Sequence, residues 1–345
     1  MFWNLGFNSR IDSILDREGG FSLDELLDED EVLQECKASN SKLVEFLMRH
    51  TTLQRLMQYI TKMPTESDTE ARRYKYPYVV SEILCSEIPA MRDALVDPQG
   101  DLMPALLSIL DQPAPLPPVL AGYVAKVLHT CHKSNPESLR NLSASPVADA
   151  IDDNDQAALL RWPRLLPRLL RHIGSDSILH LLEATCVGDH PADEYDGSPF
   201  APAAASVAAW LPLDHLVPAL MDNLSAADEE VAVNSAELLA NIIQSAPELP
   251  ACLSGKQSAV VCGSLVARVL GGEGAVVQPV DMGALNVLLK LLSRCRTRAL
   301  AEGSSPGRGG EFPKDEAVSA LADTLYESIE NLFVALAAPP AHPAR

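Results

Sequence analysis

Residues 30–63 read DEVLQECKASNSKLVEFLMRHTTLQRLMQYITKM, and the spacing of their apolar residues decides the predicted fold. From residue 30 to residue 50 the apolar side chains fall roughly on one helical face: Leu33, Cys36, Leu43, Phe46 and Leu47. Residues 51–63 repeat this pattern with Leu53, Leu56, Met57 and Ile60. The stretch therefore predicts two consecutive amphipathic helices, each with an apolar face to bury.

The helical pattern continues along the chain. Pro, Gly, Ser or Asp residues separate the further predicted helices, which cover residues 78–86, 102–110, 119–132, 155–172, 175–187, 204–224, 228–245, 254–270, 283–301 and 314–336. Aromatic residues make up only 5% of the chain, which suits helix-on-helix packing. Helix pairs recur at roughly 40 residues, the period of HEAT and armadillo arrays. We predict an all-α fold, a HEAT/armadillo-like α-solenoid of stacked helix pairs.

The predicted domain organisation follows from where this pattern is interrupted. A single elongated helical-repeat domain is expected over residues 1–336, with loop insertions near 188–203 and 303–313. The first insertion is rich in Asp, Pro and Gly, and the second contains a Gly/Ser-rich run. Residues 337–345 are rich in Ala and Pro and are expected to form a flexible end.

Charge and cysteine usage restrict the expected partners and compartment. The net charge of −20 disfavours nucleic acid and anionic membranes and favours a partner with a basic face. No apolar run reaches the roughly 18 residues that span a bilayer, and no signal-peptide pattern opens the sequence. Seven widely spaced cysteines without a CxxC pair indicate reduced thiols. We therefore expect a cytoplasmic protein, with the nucleus as a second compartment.

Motifs for chemistry are sparse. GxSxG, P-loop, GxGxxG and HExxH patterns do not occur in the sequence. His129 and His132 are spaced to share one helical face, which leaves open a metal site or polar positions at a helix end. A metal site needs further ligands, and no nearby residue has convincing spacing. We predict no cofactor and no enzymatic activity, with a metal enzyme based on this histidine pair as the rival hypothesis.

An acidic segment near the start of the chain is the first candidate binding surface. Between residues 11 and 35 only Arg17 opposes ten acidic residues: Asp12, Asp16, Glu18, Asp24, Glu25, Asp28, Glu29, Asp30, Glu31 and Glu35. Acidic residues near helix N-termini are favoured by the helix dipole, so a solvated helix face is one interpretation. A docking surface for a basic patch is the other, and the two are compatible.

Two basic groups are the other candidates. Arg161, Arg164, Arg168 and Arg171 lie on one side of a predicted helix and either pair internally or face an acidic partner. The second group contains Arg72, Arg73 and Lys75, which precede Tyr76, Pro77 and Tyr78. Exposed Tyr and Arg residues form a binding anchor in many interfaces, but tyrosines also bury their rings between helices. Both interpretations stay open from the sequence.

Several blocks of sequence resemble the SAPS family, the regulatory subunits of protein phosphatase 6. The opening Met1-Phe2-Trp3 is one of them. The longer blocks are LDEDEVLQECKASNSKLVEFLMR at residues 27–49, RRYKYPYVVSEILCSEIPAMRDAL at 72–95 and RHIGSDSILHLLEATCV at 171–187, with a weaker one from 210 to 236. The resemblance is weakest at residues 139–162 and 188–209, and the long acidic C-terminal region of many family members is absent here.

The resemblance implies a solenoid that binds the phosphatase 6 catalytic subunit and directs its substrate choice or location. It also implies assembly with an ankyrin-repeat subunit in some lineages. The most family-like blocks and the acidic segment both lie in the N-terminal third, so docking is expected there. The candidate partner-binding residues are Asp28, Glu29, Asp30, Glu35, Lys37, Lys75 and Tyr76, together with Arg161, Arg164 and Arg168. The rival is an α-solenoid adaptor for transport or other signalling complexes without a phosphatase.

Overall fold

The computed structural model describes residues 9–97, 99–135, 165–187, 213–246, 253, 256–270 and 281–303. Within these ranges the regular elements are helices, with no strand, so the all-α prediction is confirmed. The chain forms two compact units, residues 1–181 and 182–345. The HEAT/armadillo arrangement and the single domain over residues 1–336 stay predictions. The predicted loop insertions, the helix at 314–336 and the flexible end lie outside the described residues, except that residue 303 is helical.

Most of the described helices in the first unit are short, and the two longest lie at His50–Thr61 and Pro118–Ser134. In chain order they are α1 (Arg10–Leu15), α2 (Leu23–Asp28), α3 (Val32–Lys37), α4 (Ser41–Leu47), α5 (His50–Thr61), α6 (Tyr76–Leu84), α7 (Pro89–Leu95), α8 (Leu102–Leu107), α9 (Pro118–Ser134) and α10 (Leu165–Arg171). A π-helical turn, Ala71–Lys75, leads into α6, and a 3-10 turn, Ser108–Asp111, follows α8. Helix α11 (Asp176–Val187) comes next along the chain.

The prediction of one helix over residues 30–50 is wrong, because the chain turns between α3 and α4. Ser39 adopts a positive φ of 53°, a conformation that a helix does not accommodate. Asn40 then caps α4, and its Oδ1 accepts hydrogen bonds from the backbone N–H groups of Lys42 at 3.0 Å and Leu43 at 3.2 Å. Asn side chains favour caps over helix interiors because they bond nearby backbone groups. The buried residues on either side of the turn keep the helical spacing that suggested one helix.

The core of the first unit forms where α5 and α6 meet α9. Leu56 and Ile60 of α5 and Val80 and Ile83 of α6 are fully buried. Helix α9 packs against both helices and contributes Val124 from its middle turns. Pro77 lies in the first turn of α6, and the π-helical turn runs directly into this helix at Tyr76. The predicted helix at 78–86 therefore starts earlier than expected.

The second unit contains α12 (Leu213–Asn223), α13 (Glu229–Ser245), α14 (Lys256–Leu270) and α15 (Met282–Gly303). Helix α13 packs against α12 and α15, and α14 packs against α15. Gly283 allows α15 to approach α13 closely, because a Cβ placed there would lie 2.9 Å from the Cβ of Ala236. This close approach is a packing requirement that the apolar pattern does not contain.

Candidate partner-binding surface

The acidic corner of the first unit consists of Asp28, Asp30 and Glu31 at the link between α2 and α3, with Lys75 from the π-helical turn. The Lys75 Nζ donates a hydrogen bond to the Asp28 carbonyl oxygen at 2.6 Å and lies 3.5 Å from the Asp30 Oδ1. The Asp30 side chain is 98% exposed. The Lys75 side chain therefore stabilises the backbone of the α2–α3 link, while the Asp30 carboxylate stays open to solvent.

Tyr76 lies directly behind this corner and is only 5% exposed. Burial, and then a hydrogen bond to the Asp28 carboxylate, raises the pKa of Tyr76. Its ring meets Tyr59 edge-on, with 5.7 Å between the ring centroids. Of the two interpretations of the tyrosines, ring burial is confirmed for Tyr76. The side chain supports the corner from inside.

Many of the other acidic side chains in the segment are paired within the chain. Arg10 and Glu29 lie 3.0 Å apart, Arg17 and Glu25 lie 2.7 Å apart, Asp16 and Lys42 lie 2.5 Å apart, and Asp24 lies 3.1 Å from Arg55 and accepts a hydrogen bond from the Tyr59 hydroxyl. Exposed pairs of this kind add little to stability, because solvent and salt screen them. Their main effect is to reduce the local negative charge. Three of the positive partners, Arg10, Lys42 and Arg55, lie outside the acidic segment. The exposed carboxylates outside these pairs are Glu18, Asp28, Asp30 and Glu31. The last three lie together at the link between α2 and α3, beside Lys75, so we place the docking surface at this corner and test it through Asp30 and Glu31.

Glu35 takes part in a separate cluster centred on Asn40. The Asn40 Nδ2 donates hydrogen bonds to Glu35 Oε2 at 2.8 Å and to Asp12 Oδ1 at 3.0 Å. One amide thus joins α1, α3 and α4 while its oxygen caps α4. Lys37, the last residue of α3, is exposed.

Replacing Asn40 with alanine is expected to lower the free energy of unfolding by about 1–2 kcal/mol, the cost of losing a helix cap. The loss has a second source, because the Asp12 and Glu35 carboxylates lose their shared donor. Urea denaturation followed by circular dichroism measures the change.

The control for this prediction is Asn40→Asp, which keeps the cap acceptor but places a third carboxylate between two others. Repulsion among the three carboxylates should make Asn40→Asp less stable than Asn40→Ala at neutral pH. This difference in the free energy of unfolding should shrink toward about pH 4, where carboxylates protonate. An Asn40→Ala variant as stable as the parent would contradict the role given to this residue.

A second exposed surface, the tyrosine face, consists of Tyr74, Tyr78, Val119 and Tyr123. Tyr74 is 68% exposed, Tyr78 is 53% exposed and Val119 is 61% exposed. Tyr123 is half-buried on α9, and burial raises its pKa, with the nearby Tyr78 adding to the rise and Lys126 opposing it. Tyr and other large side chains dominate binding energy in interfaces, so an exposed group of this kind is a strong candidate contact.

Sequence reasoning left Tyr78 open and did not single out Tyr74 or Val119. For Tyr78 the signal was present in the spacing, since Tyr78 and Glu82 are four residues apart in α6 and Glu82 pairs with Lys126 of α9. The π-helical turn at Ala71–Lys75 contains Tyr74 and was not expected. Because the turn is wider than an α-helical one, helical spacing does not assign its faces.

Arg168 pairs within the chain, which confirms the internal interpretation for this member of the arginine stripe. Its guanidinium donates to Asp111 Oδ2 at 2.7 Å and to the Leu107 carbonyl oxygen at the end of α8. Arg171 is exposed. Arg161 and Arg164 lie outside the described residues, as does the part of the predicted helix before residue 165.

The residues that could support chemistry are the histidine pair on α9 and the buried cysteines. His132 is buried, and no three His, Cys, Asp or Glu side chains in the described ranges are grouped to hold a metal ion. Cys36, Cys85, Cys131 and Cys186 are free thiols, and burial raises the pKa of Cys36, Cys131 and Cys186 to about 12. Those three thiols are therefore poor nucleophiles. None of the described helices is long and apolar enough to cross a membrane.

In the described residues the protein is all-α, with an exposed acidic corner and an exposed tyrosine face. No family model matches the chain. It is 32% identical over 314 residues to the human serine/threonine-protein phosphatase 6 regulatory subunit 1, covering 87% of this chain and 32% of that protein. It is 35% identical over 184 residues to regulatory subunit 3 from Gallus gallus, covering 53% of this chain and 19% of that protein.

A more distant relative is the extragenic suppressor of kinetochore protein 1 from Schizosaccharomyces pombe. It is 31% identical over 259 residues, or 70% of this chain and 28% of that protein. The recognition made from the sequence blocks is therefore confirmed, and the chain belongs to the SAPS family. It spans about a third of the length of the human and mouse regulatory subunit 1 proteins.

Proposed function

We propose that the chain is a non-catalytic regulatory subunit that binds a phosphatase 6-type catalytic subunit and directs its substrate choice or location. The observation that carries this proposal is the alignment over 87% of the chain with a protein named as a phosphatase 6 regulatory subunit. The catalytic groups would belong to the partner. The described residues contribute helical surface with an acidic and an aromatic face.

The proposed mechanism is that of a scaffold. An extended helical surface holds the phosphatase at one position and a substrate or third subunit at another, which raises their effective concentration. The acidic corner suits the electrostatic part of docking, since opposite charges speed association and fix orientation. The tyrosine face suits the contacts that determine affinity, because tyrosine side chains contribute much of the binding energy in interfaces. Both lie in the first unit. The acidic corner, Tyr74 and Tyr78 fall within the N-terminal third predicted for docking, and Val119 and Tyr123 lie just after it.

Finer features of the assembly belong to the same proposal. We expect an ankyrin-repeat protein as a third subunit and a cytoplasmic location, with the nucleus as a second compartment. The net charge of −20 argues against nucleic acid as a partner, because acidic surfaces repel the phosphate backbone. The solenoid arrangement of the helices is likewise proposed, on the basis of helix lengths and spacing.

Capture of the catalytic subunit by the purified chain tests the proposal. The immobilised chain should retain the phosphatase 6 catalytic subunit at low and moderate salt, and it should not retain a catalytic subunit of a different phosphatase class. Failure to retain the phosphatase 6 subunit, with the chain shown to be folded, would reject the proposal. Retention of transport or vesicle proteins in its place would favour the adaptor hypothesis.

Reversing the charges of Asp30 and Glu31 to lysine is expected to weaken this capture by about five- to tenfold at low salt. The difference from the parent chain should shrink between about 50 mM and 300 mM salt, because screening removes long-range attraction. Both side chains are exposed, and Glu31 precedes α3 without forming a side-chain cap. Biolayer interferometry at several salt concentrations measures the effect.

The matched control reverses Asp222 and Glu237, which are exposed residues of the second unit. This variant changes the net charge by the same amount, so it separates a local docking effect from a general one. Equal weakening by both variants would remove the acidic corner from the proposed docking surface.

A further inference from the structure

The turn between α12 and α13 contains an exposed serine followed by acidic residues. Ser225 comes after the end of α12, and Ala226 and Ala227 separate it from Asp228, Glu229 and Glu230. Acidic side chains therefore occupy the third, fourth and fifth positions after the hydroxyl. Protein kinases select substrates by charge patterns of this kind, and this one suits an acid-directed kinase.

A positive side chain already contacts this hydroxyl. Arg268 of α14 donates hydrogen bonds from its guanidinium to Ser225 Oγ and to the Leu224 carbonyl oxygen. The same group donates to Asp281 Oδ2 at 2.7 Å. Its Nε is buried and has no hydrogen-bond partner among the described residues. A guanidinium group with an unused donor beside a serine hydroxyl is an arrangement suited to a phosphate.

We infer that Ser225 is a phosphorylation site for an acid-directed protein kinase and that Arg268 binds the resulting phosphate. In the transfer, the Ser225 oxygen forms a bond to the γ-phosphorus of ATP. The bond from that phosphorus to the β,γ-bridging oxygen breaks, and ADP leaves. The hydroxyl proton passes to the catalytic carboxylate of the kinase. Nothing is oxidised or reduced.

The phosphate changes the contacts at the start of α15. Asp281 accepts the backbone N–H of Ala284 at 2.9 Å through Oδ1 and receives Arg268 through Oδ2. A phosphoserine carries more negative charge than Asp281 and competes with it for the guanidinium. Phosphorylation therefore weakens the link between α14 and α15 that Arg268 and Asp281 form, and strengthens the one between α14 and the turn.

Ser13 provides a matched comparison within the same chain. It also has an acidic residue, Asp16, at the third position after it. Ser13 lies inside α1, however, and its hydroxyl bonds the Ser9 carbonyl oxygen at 3.3 Å. Ser13 is held in helical backbone, whereas Ser225 lies in a turn between two helices, so Ser225 should react in the folded chain and Ser13 should stay unmodified.

Incubation with casein kinase 2 and ATP, followed by site-mapped mass spectrometry, is the first test. We expect phosphate on Ser225, none on Ser13, and loss of the Ser225 signal in Ser225→Ala. The variant Glu229→Gln with Glu230→Gln should lower kcat/KM for Ser225 about tenfold, because the acidic determinants are removed. A peptide of residues 220–232 is the positive control. Phosphorylation of the peptide without phosphorylation of the folded chain would overturn the inference.

Titration of the phosphate by phosphorus NMR tests the role of Arg268. The second pKa of phosphoserine is ordinarily about 6, and the guanidinium should hold it below the value measured for the same chain in urea. Arg268→Gln should return the pKa to that value. An unchanged pKa in Arg268→Gln would overturn the assignment of Arg268 as the phosphate-binding group. Neither result depends on the phosphatase, so these tests fail or succeed separately from the proposed function.

Discussion

Replacing Gly283 with alanine is expected to lower the free energy of unfolding of the second unit by about 1–3 kcal/mol, the usual cost of overpacking. The added Cβ would lie 2.9 Å from the Cβ of Ala236, a separation that packed carbon atoms do not adopt. Both atoms sit on short, stiff side chains, so the clash is relieved only by moving α15 away from α13. That movement loosens contacts of buried residues such as Leu288 and Leu239.

Gly263→Ala in α14 is the matched control for this substitution. A Cβ at Gly263 would meet nothing within 4 Å. Alanine is favoured over glycine in helices by roughly 0.5–1 kcal/mol, so this variant should be as stable as the parent or slightly more stable. The two glycine-to-alanine changes are thus expected to have opposite signs.

A double-mutant cycle identifies the cause. Ala236→Gly alone destabilises through its own loss of helix propensity, but combined with Gly283→Ala it removes the clash. The double variant should therefore be more stable than the sum of the two single effects predicts. Peptide-resolved hydrogen exchange of α13 and α15 measures this unit by itself. Additive effects, or an undiminished stability in Gly283→Ala, would contradict the close approach of these helices.

Replacing both Tyr74 and Tyr78 with alanine should reduce capture of the phosphatase 6 catalytic subunit by at least about thirtyfold, which corresponds to one strong hot spot of about 2 kcal/mol. The two rings are exposed in the unbound chain and pack little against the core. Their removal should therefore leave the thermal unfolding of the chain nearly unchanged. A separation between lost binding and retained stability is the expected signature of a docking face.

Two controls accompany the tyrosine variant. Val233→Ala with Val260→Ala removes exposed apolar side chains from the second unit and should leave capture unchanged. Tyr76→Phe removes a buried hydroxyl that bonds Asp28, so it should lower stability while leaving affinity unchanged in the folded chain. Capture that survives the loss of both Tyr74 and Tyr78 would move docking away from this face.

The apolar periodicity predicted most closely those helices whose ends are also marked by prolines or capping residues. Predicted helices at residues 51–63, 119–132 and 228–245 correspond to helices at His50–Thr61, Pro118–Ser134 and Glu229–Ser245. Prolines or a capping aspartate mark the start of the last two. The helix ends in these regions depend on neighbouring residues alone, which is why sequence reasoning located them closely.

The short helices and the site were harder to predict. The break at Ser39 preserves an apolar spacing that a regular helix also has, and the π-helical turn before α6 contains no buried residue that could mark it in the sequence. Ion pairs such as Lys42 with Asp16 and Arg55 with Asp24 join residues that are far apart in the chain. The sequence therefore suggested a continuous acidic surface, because the acidic residues are consecutive while their positive partners lie elsewhere in the chain.

The sequence by itself determined that the chain is helical and belongs to the SAPS family, because helical spacing and family blocks are properties of consecutive residues. Only the tertiary structure decided that Tyr76 is buried while Tyr74 and Tyr78 are exposed, and that the Asp30 side chain stays exposed beside Lys75 while Glu29 pairs with Arg10. The physical reason is that burial and ion pairing depend on which helices meet, and those contacts are non-local. The same reason explains why Gly283 and Ala236 meet without any sign in the sequence.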